Sequence, residues 1–162
     1  MLVIDTSAFL SLAVGGALEP VLRAFDVVTT HAVHGELEAT AEYEDRHGTA
    51  ATAVLDAEDA VTVVETQSEE FETSRIDAGE ASCVTVTRAR GAPFLVTDDY
   101  RALPELQQLV DAEVVLSPIV LRALVKRGSW SERQAETAFE TIAEKRDWLG
   151  APIYRYARQL FD

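Results

Sequence analysis

The sequence is poor in cysteine and lysine. One cysteine, Cys83, occurs in 162 residues, which excludes an intrachain disulfide and a cysteine-based zinc site. Only Lys126 and Lys145 are lysines, and the remaining cationic residues are arginines. The longest apolar stretch, residues 9–18, is too short to span a bilayer and contains two glycines. Asp5 interrupts the N-terminus before an apolar signal segment develops, so we expect a cytoplasmic protein without membrane association.

Positive charge is scarce throughout the chain. Lys and Arg total 14 against 28 Asp and Glu, giving a formal net charge of −14. Two interpretations stay open: a solvated acidic surface that favours solubility, or adaptation to molar salt in a halophilic archaeon, where the Debye length is about 3 Å. At ordinary salt this charge argues against a nucleic-acid partner, because such binding relies on clustered Lys and Arg. In molar salt that argument weakens.

Short apolar runs alternate with helical segments along the chain. Strands alternating with helices predict an α/β sheet with right-handed crossovers. The length fits one domain over residues 1–162, with C-terminal helices in residues 117–161 packed on or extending the core. Five runs have the β-branched composition of buried parallel strands: residues 2–5, 26–29, 61–64, 94–97 and 113–116.

Three helices are predicted from their ends. Ser117 is expected to be the N-cap of a helix that has Pro118 at its first position and ends at Gly128. The capping-box spacing at Ser131 begins a second helix, whose apolar residues recur through Leu149. Asp77 and Glu80 have the same capping-box spacing, so the segment after them is predicted as helix despite its strand propensity.

Acidic residues directly follow two of the predicted strands. Asp5 closes the first strand, and Asp98 and Asp99 close the fourth. In the strand order 3-2-1-4-5 these strands are neighbours at the point where the order reverses, which is where sites form in open α/β sheets. Glu36, at the edge of a core-facing helical stripe, and Glu80, in the first turn of its helix, can reach the same place.

Converging carboxylates repel one another, and a divalent cation relieves this repulsion. Oxygen-only ligands favour Mg²⁺ or Mn²⁺, which can generate hydroxide from water and stabilise charge on a phosphate. We therefore predict phosphodiester hydrolysis by Asp5, Glu36, Glu80 and Asp98, with Asp99 as a further metal ligand. For each acid alone, a purely structural interpretation as a helix cap or a solvated helix residue stays open.

Three further sets of residues allow a functional interpretation. A zinc site is disfavoured because no cysteine ligand or His-Glu-x-x-His pattern accompanies the three histidines, His31, His34 and His47. Base stacking is possible, although helix packing is favoured, for Trp130, Trp148, Tyr154 and Tyr156. Two interpretations, phosphate contact at the rim of the predicted site or a solvated surface position, stay open for Arg88, Arg90 and Arg101.

Four segments resemble the motifs of the PIN-domain family. Residues 3–8 (Val-Ile-Asp-Thr-Ser-Ala) look like its opening strand and first acid, and residues 30–37 resemble its second motif, a helix carrying a glutamate before leucine. Residues 77–81 (Asp-Ala-Gly-Glu-Ala) are similar to the Gly-Glu-Ala form of one prokaryotic branch, and residues 95–100 resemble the fourth motif. The order and spacing of the four segments, across residues 1–125, are more specific than any one of them.

The resemblance implies a three-layer α/β/α fold whose parallel sheet has the order 3-2-1-4-5, dependence on Mg²⁺ or Mn²⁺, and RNA as the substrate. It maps the family's acids to Asp5, Glu36 and Glu80. At the fourth motif the Gly-Glu-Ala branch points to Asp98, and the toxin-like branch points to Asp99. Many small PIN proteins are toxins of VapBC-type pairs, dimeric and neutralised by an antitoxin, and others process RNA. A toxin role would make a homodimer and an antitoxin the expected partners.

Two other classes of protein compete with the nuclease interpretation. A non-catalytic PIN-like module that binds protein or RNA is the main alternative, and acids at all four motif positions count against it. A receiver domain or an aspartate-based phosphatase needs a positioned lysine. The first lysine here, Lys126, lies beyond the fifth predicted strand, and no Asp-x-Asp follows the first strand. Both features disfavour phosphoryl transfer.

Overall fold

A computed structural model of the chain describes residues 1–67 and 71–162. Its sheet has five parallel strands in the order β3-β2-β1-β4-β5, which confirms the predicted order. The observed strand bounds differ from the predicted ones by one residue or less. The strands are β1 (Leu2–Ile4), β2 (Val27–Thr30), β3 (Val61–Val64), β4 (Phe94–Val96) and β5 (Glu113–Val115).

The first strand of the chain lies in the middle of the sheet. Leu2 pairs with Val27 of β2 on one side and with Phe94 of β4 on the other. Ile4 pairs with Val96, so β1 and β4 end at the same level. The residues that follow these two strands therefore lie side by side at one edge of the sheet.

Helices cover both faces of the sheet and give the three-layer α/β/α fold. In the part of the chain that the structure describes, they are α1 (Thr6–Val14), α2 (Leu18–Ala24), α3 (His31–Ala41), α4 (Arg46–Asp56), α5 (Ala78–Arg90), α6 (Leu103–Leu109), α7 (Ser117–Lys126), α8 (Glu132–Lys145) and α9 (Pro152–Arg158). Helices α1, α3 and α4 pack on one another, whereas α5 packs on β1, β2 and β4. Of these helices, no single one is long and apolar enough to cross a membrane, although α1 and α2 would be if counted together across their 114° bend.

Apolar side chains fill the space between the layers. Phe9 and Leu12 of α1 are fully buried, as is Phe139 of α8, so the core extends to the C-terminal helices. Cys83 of α5 is also fully buried, and burial raises the pKa of its thiol well above the ordinary value. The single cysteine is therefore a small core residue rather than a reactive group.

Helix α5 begins and ends as its sequence predicts. The Asp77 carboxylate accepts from the Glu80 N–H at 2.9 Å, and the Glu80 carboxylate accepts from the Asp77 N–H at 3.0 Å, which forms the capping box. Gly91 follows the helix with φ of 58°, a conformation that favours glycine. Local capping and burial against three strands outweigh the strand propensity of this segment.

Two helix ends differ from their predictions. Helix α8 stops at Lys145, and Leu149 lies beyond it with 60% of its surface exposed, so its assignment to the helical stripe was wrong. Asp147 turns the chain there with φ of 58°, which aspartate tolerates better than most residues. At α7 the N-cap is Leu116 rather than Ser117, whose hydroxyl is engaged elsewhere.

Candidate active site

A cavity of about 360 Å³ opens at the edge of the sheet where β1 and β4 end. It brings together the five acids predicted from the sequence, although they come from four separated parts of the chain. Hydroxyl groups and one arginine complete much of the wall. The lining includes Asp5, Glu36, Glu80, Asp98 and Asp99, together with Thr6, Ser7 and Arg146.

Asp5 lies within a hydrogen-bond network at the end of β1. Its Oδ1 accepts from Ser7 Oγ at 2.8 Å and from the Ala8 N–H at 2.9 Å, so Asp5 is the N-cap of α1. Its Oδ2 accepts from Thr97 Oγ1. Burial raises the pKa of Asp5 to about 7 even though these bonds lower it. Asp5 thus caps a helix and also lines the cavity.

Glu36 extends from α3 into the cavity, and its carboxylate lies against Gly79 at the start of α5. Its Oε1 accepts from Thr6 Oγ1 at 2.8 Å. A Cβ atom placed on Gly79 would lie 1.9 Å from the same oxygen, so only glycine at the start of α5 lets the Glu36 carboxylate occupy this position. Burial raises the pKa of Glu36, the bond from Thr6 lowers it, and the negative charge of Asp77 raises it further.

Glu80 and Asp99 lie close together in the cavity wall. Burial is the main reason that the pKa of Glu80 rises to about 9, and a hydrogen bond to Asp99 that only protonated Glu80 can donate adds to it. Asp99 uses Oδ1 to accept from the backbone N–H groups of Arg101 at 3.1 Å and Ala102 at 3.2 Å. The two carboxyl groups are therefore close enough to compete for a proton.

Asp98 directs its carboxylate toward the start of α7. Its Oδ1 accepts from the Ser117 N–H and its Oδ2 from Ser117 Oγ, both at 2.7 Å. Burial raises the pKa of Asp98, and bonds to Ser11 and Ser117 lower it. Asp98 shares the cavity wall with Asp5, yet both of its oxygens are engaged in holding α7.

Carboxylate oxygens are ligands that a hard divalent cation prefers. As they stand, however, these side chains are not arranged around a single ion. All five are carboxylates, and a nearby cation would favour the charged forms that burial disfavours. Within residues 1–67 and 71–162, however, no three acidic, histidine or cysteine side chains are arranged to hold a metal ion as they stand. Asp5 and Asp98 direct their oxygens to neighbouring hydroxyl and amide donors, which accounts for this arrangement.

The other polar candidates lie away from the cavity lining. His34 bridges Glu38 at 2.8 Å and Glu58 at 2.9 Å, and among the described residues the histidines form no metal-binding group. Arg88 and Arg90 lie at the opposite end of α5 from Glu80, Arg88 being about 12 Å along the helix axis. Their predicted place at the site rim was wrong. Arg88 instead stacks on Phe71, with 5.3 Å from its guanidinium carbon to the ring centre. Arg101 is exposed two residues after Asp99 in the chain.

Most of the candidate stacking aromatics are packing residues. Trp148 is 6% exposed, and Trp130 packs against the core. Tyr154 stacks on Phe139, with 5.6 Å between ring centres. Only Tyr156 leaves a large part of its surface, 43%, exposed. The favoured packing interpretation therefore holds for three of the four rings.

Sequence reasoning missed three side chains at the site. Thr97 and Ser117 donate hydrogen bonds to the buried aspartates. Because a buried carboxylate needs hydrogen-bond donors, nearby hydroxyl residues were the signal that could have identified them. Arg146 belongs to none of the four motifs. It reaches the cavity because α8 packs against α1 and α7, which no local pattern indicates.

The fold is an α/β fold whose parallel sheet has the order 3-2-1-4-5, with acids at its switch point. A family model described as a PIN domain matches residues 1–162, and the chain belongs to the PIN-domain family. The predicted membership of the PIN-domain family is thus confirmed. PIN domains are generally nucleases and typically use divalent metals. A search of curated proteins finds no match to this chain.

Proposed function

We propose that this PIN-domain protein is a Mg²⁺- or Mn²⁺-dependent ribonuclease that hydrolyses phosphodiester bonds in RNA. The observation that supports it is the gathering of five carboxylates in one cavity, where burial raises the pKa of Asp5 and Glu80 to about 7 and about 9. A bound cation would favour the ionised forms of these carboxyl groups. The chemistry that bound Mg²⁺ or Mn²⁺ supplies is activation of water and stabilisation of negative charge on a phosphate.

One aspartate after β4 completes the proposed ligand set. We favour Asp99, because it lies beside Glu80 in the cavity lining and accepts hydrogen bonds from backbone donors through Oδ1 only. Asp98 instead has both oxygens bound to Ser117, and its proposed role is to fix the start of α7 beside the cavity. The other proposed ligands are Asp5, Glu36 and Glu80.

Paired substitutions at these two aspartates test the proposal. We expect Asp99→Asn to abolish Mn²⁺-dependent cleavage of single-stranded RNA, because it removes a ligand charge. Asp98→Asn should retain cleavage within about tenfold, because asparagine can still accept from the Ser117 N–H and pair with its hydroxyl. Cleavage would be followed in molar KCl on a labelled oligoribonucleotide.

Asp5→Asn and EDTA serve as controls for loss of the site and of the metal. If cleavage survives EDTA, or survives both Asp5→Asn and Asp99→Asn, the metal mechanism is refuted. If Asp98→Asn abolishes cleavage and Asp99→Asn does not, the ligand is Asp98, as one branch of the family implies. RNA that is bound but never cut would support the non-catalytic alternative.

The partners other than RNA stay predictions. A toxin role would require an antitoxin, which a neighbouring gene for a short DNA-binding protein would reveal. A homodimer is expected with it, and mass measurement in solution tests this. RNA binding by a chain with a net charge of −14 should be measured at high salt as well as low, because repulsion of phosphate is strongest at low salt.

A further inference from the structure

Arg146 lies in the wall of the acidic cavity, at the C-cap of α8. Among the described residues that line the cavity it is the only cationic one. The side chain is partly buried, and its Nε is fully buried without a hydrogen-bond partner in residues 1–67 and 71–162. A buried guanidinium N–H group without an acceptor is costly, so its position calls for an explanation.

Arg146 differs from the arginines that form structural ion pairs. Within the described part of the chain, no carboxylate oxygen lies within 4.0 Å of its nitrogens, although Asp5 and Asp98 are near enough to attract it. Those two acids accept hydrogen bonds from other donors instead. By contrast, ion pairs within that distance are made by Arg23, Arg46, Arg122 and Arg158.

We propose that Arg146 binds a non-bridging phosphate oxygen of the RNA in this cavity. This inference rests on the proposed ribonuclease function. A planar guanidinium presents paired N–H donors that match the oxygens of a phosphate. Arg146 lines the cavity and, within the described residues, makes no ion pair that would compete with such a contact. The cavity is lined by six carboxylates, the five proposed above and Asp77, and Arg146 is the lining residue whose charge attracts the anionic backbone of the substrate.

RNA affinity tests this role separately from cleavage. Binding of a labelled single-stranded oligoribonucleotide would be measured by fluorescence anisotropy, with Ca²⁺ in place of Mn²⁺ so that binding is read before turnover. We expect Arg146→Gln to weaken binding on the order of 10- to 100-fold, as loss of a charged hydrogen bond implies. Arg146→Lys keeps the charge and loses the paired donors, so it should recover only part of the affinity.

Arg133→Gln is the matched control. Arg133 is exposed on the same helix, and its replacement changes the net charge by the same amount, so RNA affinity should stay within about twofold of wild type. Affinity for Mn²⁺ should be equal or higher in Arg146→Gln, because a positive charge near the acids is removed. This combination of weaker RNA binding and undiminished Mn²⁺ binding is not expected of a merely structural arginine.

The possible failures are distinguishable. Equal RNA affinity in Arg146→Gln and Arg133→Gln overturns the inference. Joint loss of RNA affinity, Mn²⁺ affinity and thermal stability in both Arg146 variants also overturns it, since that pattern marks a structural role. A wild type that binds RNA without cutting it refutes the ribonuclease function, while the expected variant series would still support the Arg146 contact. A wild type that binds no RNA overturns both.

Discussion

At the scale of single residues, the contact between Asp98 and Ser117 joins the end of β4 to the start of α7. We expect Asp98→Ala to lower the free energy of unfolding by about 1–3 kcal/mol, because it leaves a buried N–H and a buried hydroxyl without their acceptor. Chemical denaturation in EDTA measures this. Asp111→Ala, at an exposed aspartate, is the control and should change stability by less than about 0.5 kcal/mol.

A double-mutant cycle isolates the hydroxyl part of this contact. Ser117→Ala removes Oγ and keeps the backbone donor. If the contact stabilises α7, the two substitutions together should cost less than the sum of their separate effects. Additive losses would mean that Asp98 and Ser117 act independently, against the observed bonds.

The close approach of Gly79 to Glu36 gives a second prediction at this scale. We expect Gly79→Ala to reduce RNA cleavage on the order of 100-fold, because a Cβ 1.9 Å from Glu36 Oε1 forces that carboxylate out of place. The atom displaced is the end of a flexible side chain, so the melting temperature should change little.

Gly35→Ala is the matched control on α3. A Cβ there meets nothing within 4 Å, so this variant should keep full cleavage and gain about 0.5–1 kcal/mol of stability from helix propensity. If Gly79→Ala cleaves RNA as well as Gly35→Ala does, Glu36 has no role in the reaction.

The sequence located the acids but left the roles of Asp98 and Asp99 open. Both follow β4, and consecutive residues in extended backbone point to different sides. Both side chains line the cavity, but the oxygens of Asp98 are bound to Ser117, which is 19 residues away in the sequence and close only in the folded chain. Arg146 was missed for the same reason, since packing of α8 alone brings it to the acids.

At the scale of elements, His34 links α3 to the short 3₁₀ helix Glu58–Ala60. The bond to Glu58 is the main cause that raises the pKa of His34 above its ordinary value, and Glu38 adds to it. Because the folded pKa is the higher one, this stabilisation is complete below pH about 6.5 and is lost as pH rises through the folded pKa. We therefore expect wild-type stability to fall by at most about 1 kcal/mol over that pH range.

His34→Gln should remove most of this pH dependence, as measured by urea unfolding from pH 6 to pH 9. His31→Gln, at an exposed histidine on the same helix, is the control and should leave it in place. The effect should shrink in molar KCl, since Glu38 and Glu58 are more than half exposed and salt screens such pairs. An identical pH profile in wild type and His34→Gln would contradict the link.

Elements with strong local signals were predictable from the sequence. The β-branched runs gave all five strands, and the capping box of Asp77 and Glu80 predicted α5 against its strand propensity. The end of α8 was not predictable from apolar spacing, because Leu149 continues the pattern while the backbone at Asp147 leaves the helix. Apolar spacing indicates which face of a helix is buried. It does not show where a residue in the left-handed conformation turns the chain out of the helix.

At the scale of the whole molecule, the net charge of −14 makes stability depend on salt. We expect the melting temperature to rise between low and molar KCl, because screening reduces self-repulsion in the folded chain. A gain of about 1 kcal/mol would appear as a rise of about 2–4 °C. A variant with the exposed acids Glu72, Asp111 and Glu113 neutralised should respond less. A flat or falling trend in wild type would contradict adaptation to molar salt.

The central position of β1 also sets the order in which a growing chain can complete its site. Asp5 and its donor Thr97 are 92 residues apart in the sequence. At ordinary rates of synthesis, Thr97 is made roughly 5–20 s after Asp5. Until β4 exists, β1 lacks one neighbour, and Ser117 and Arg146 come later still. The site of the proposed ribonuclease is therefore incomplete until most of the chain has been synthesised.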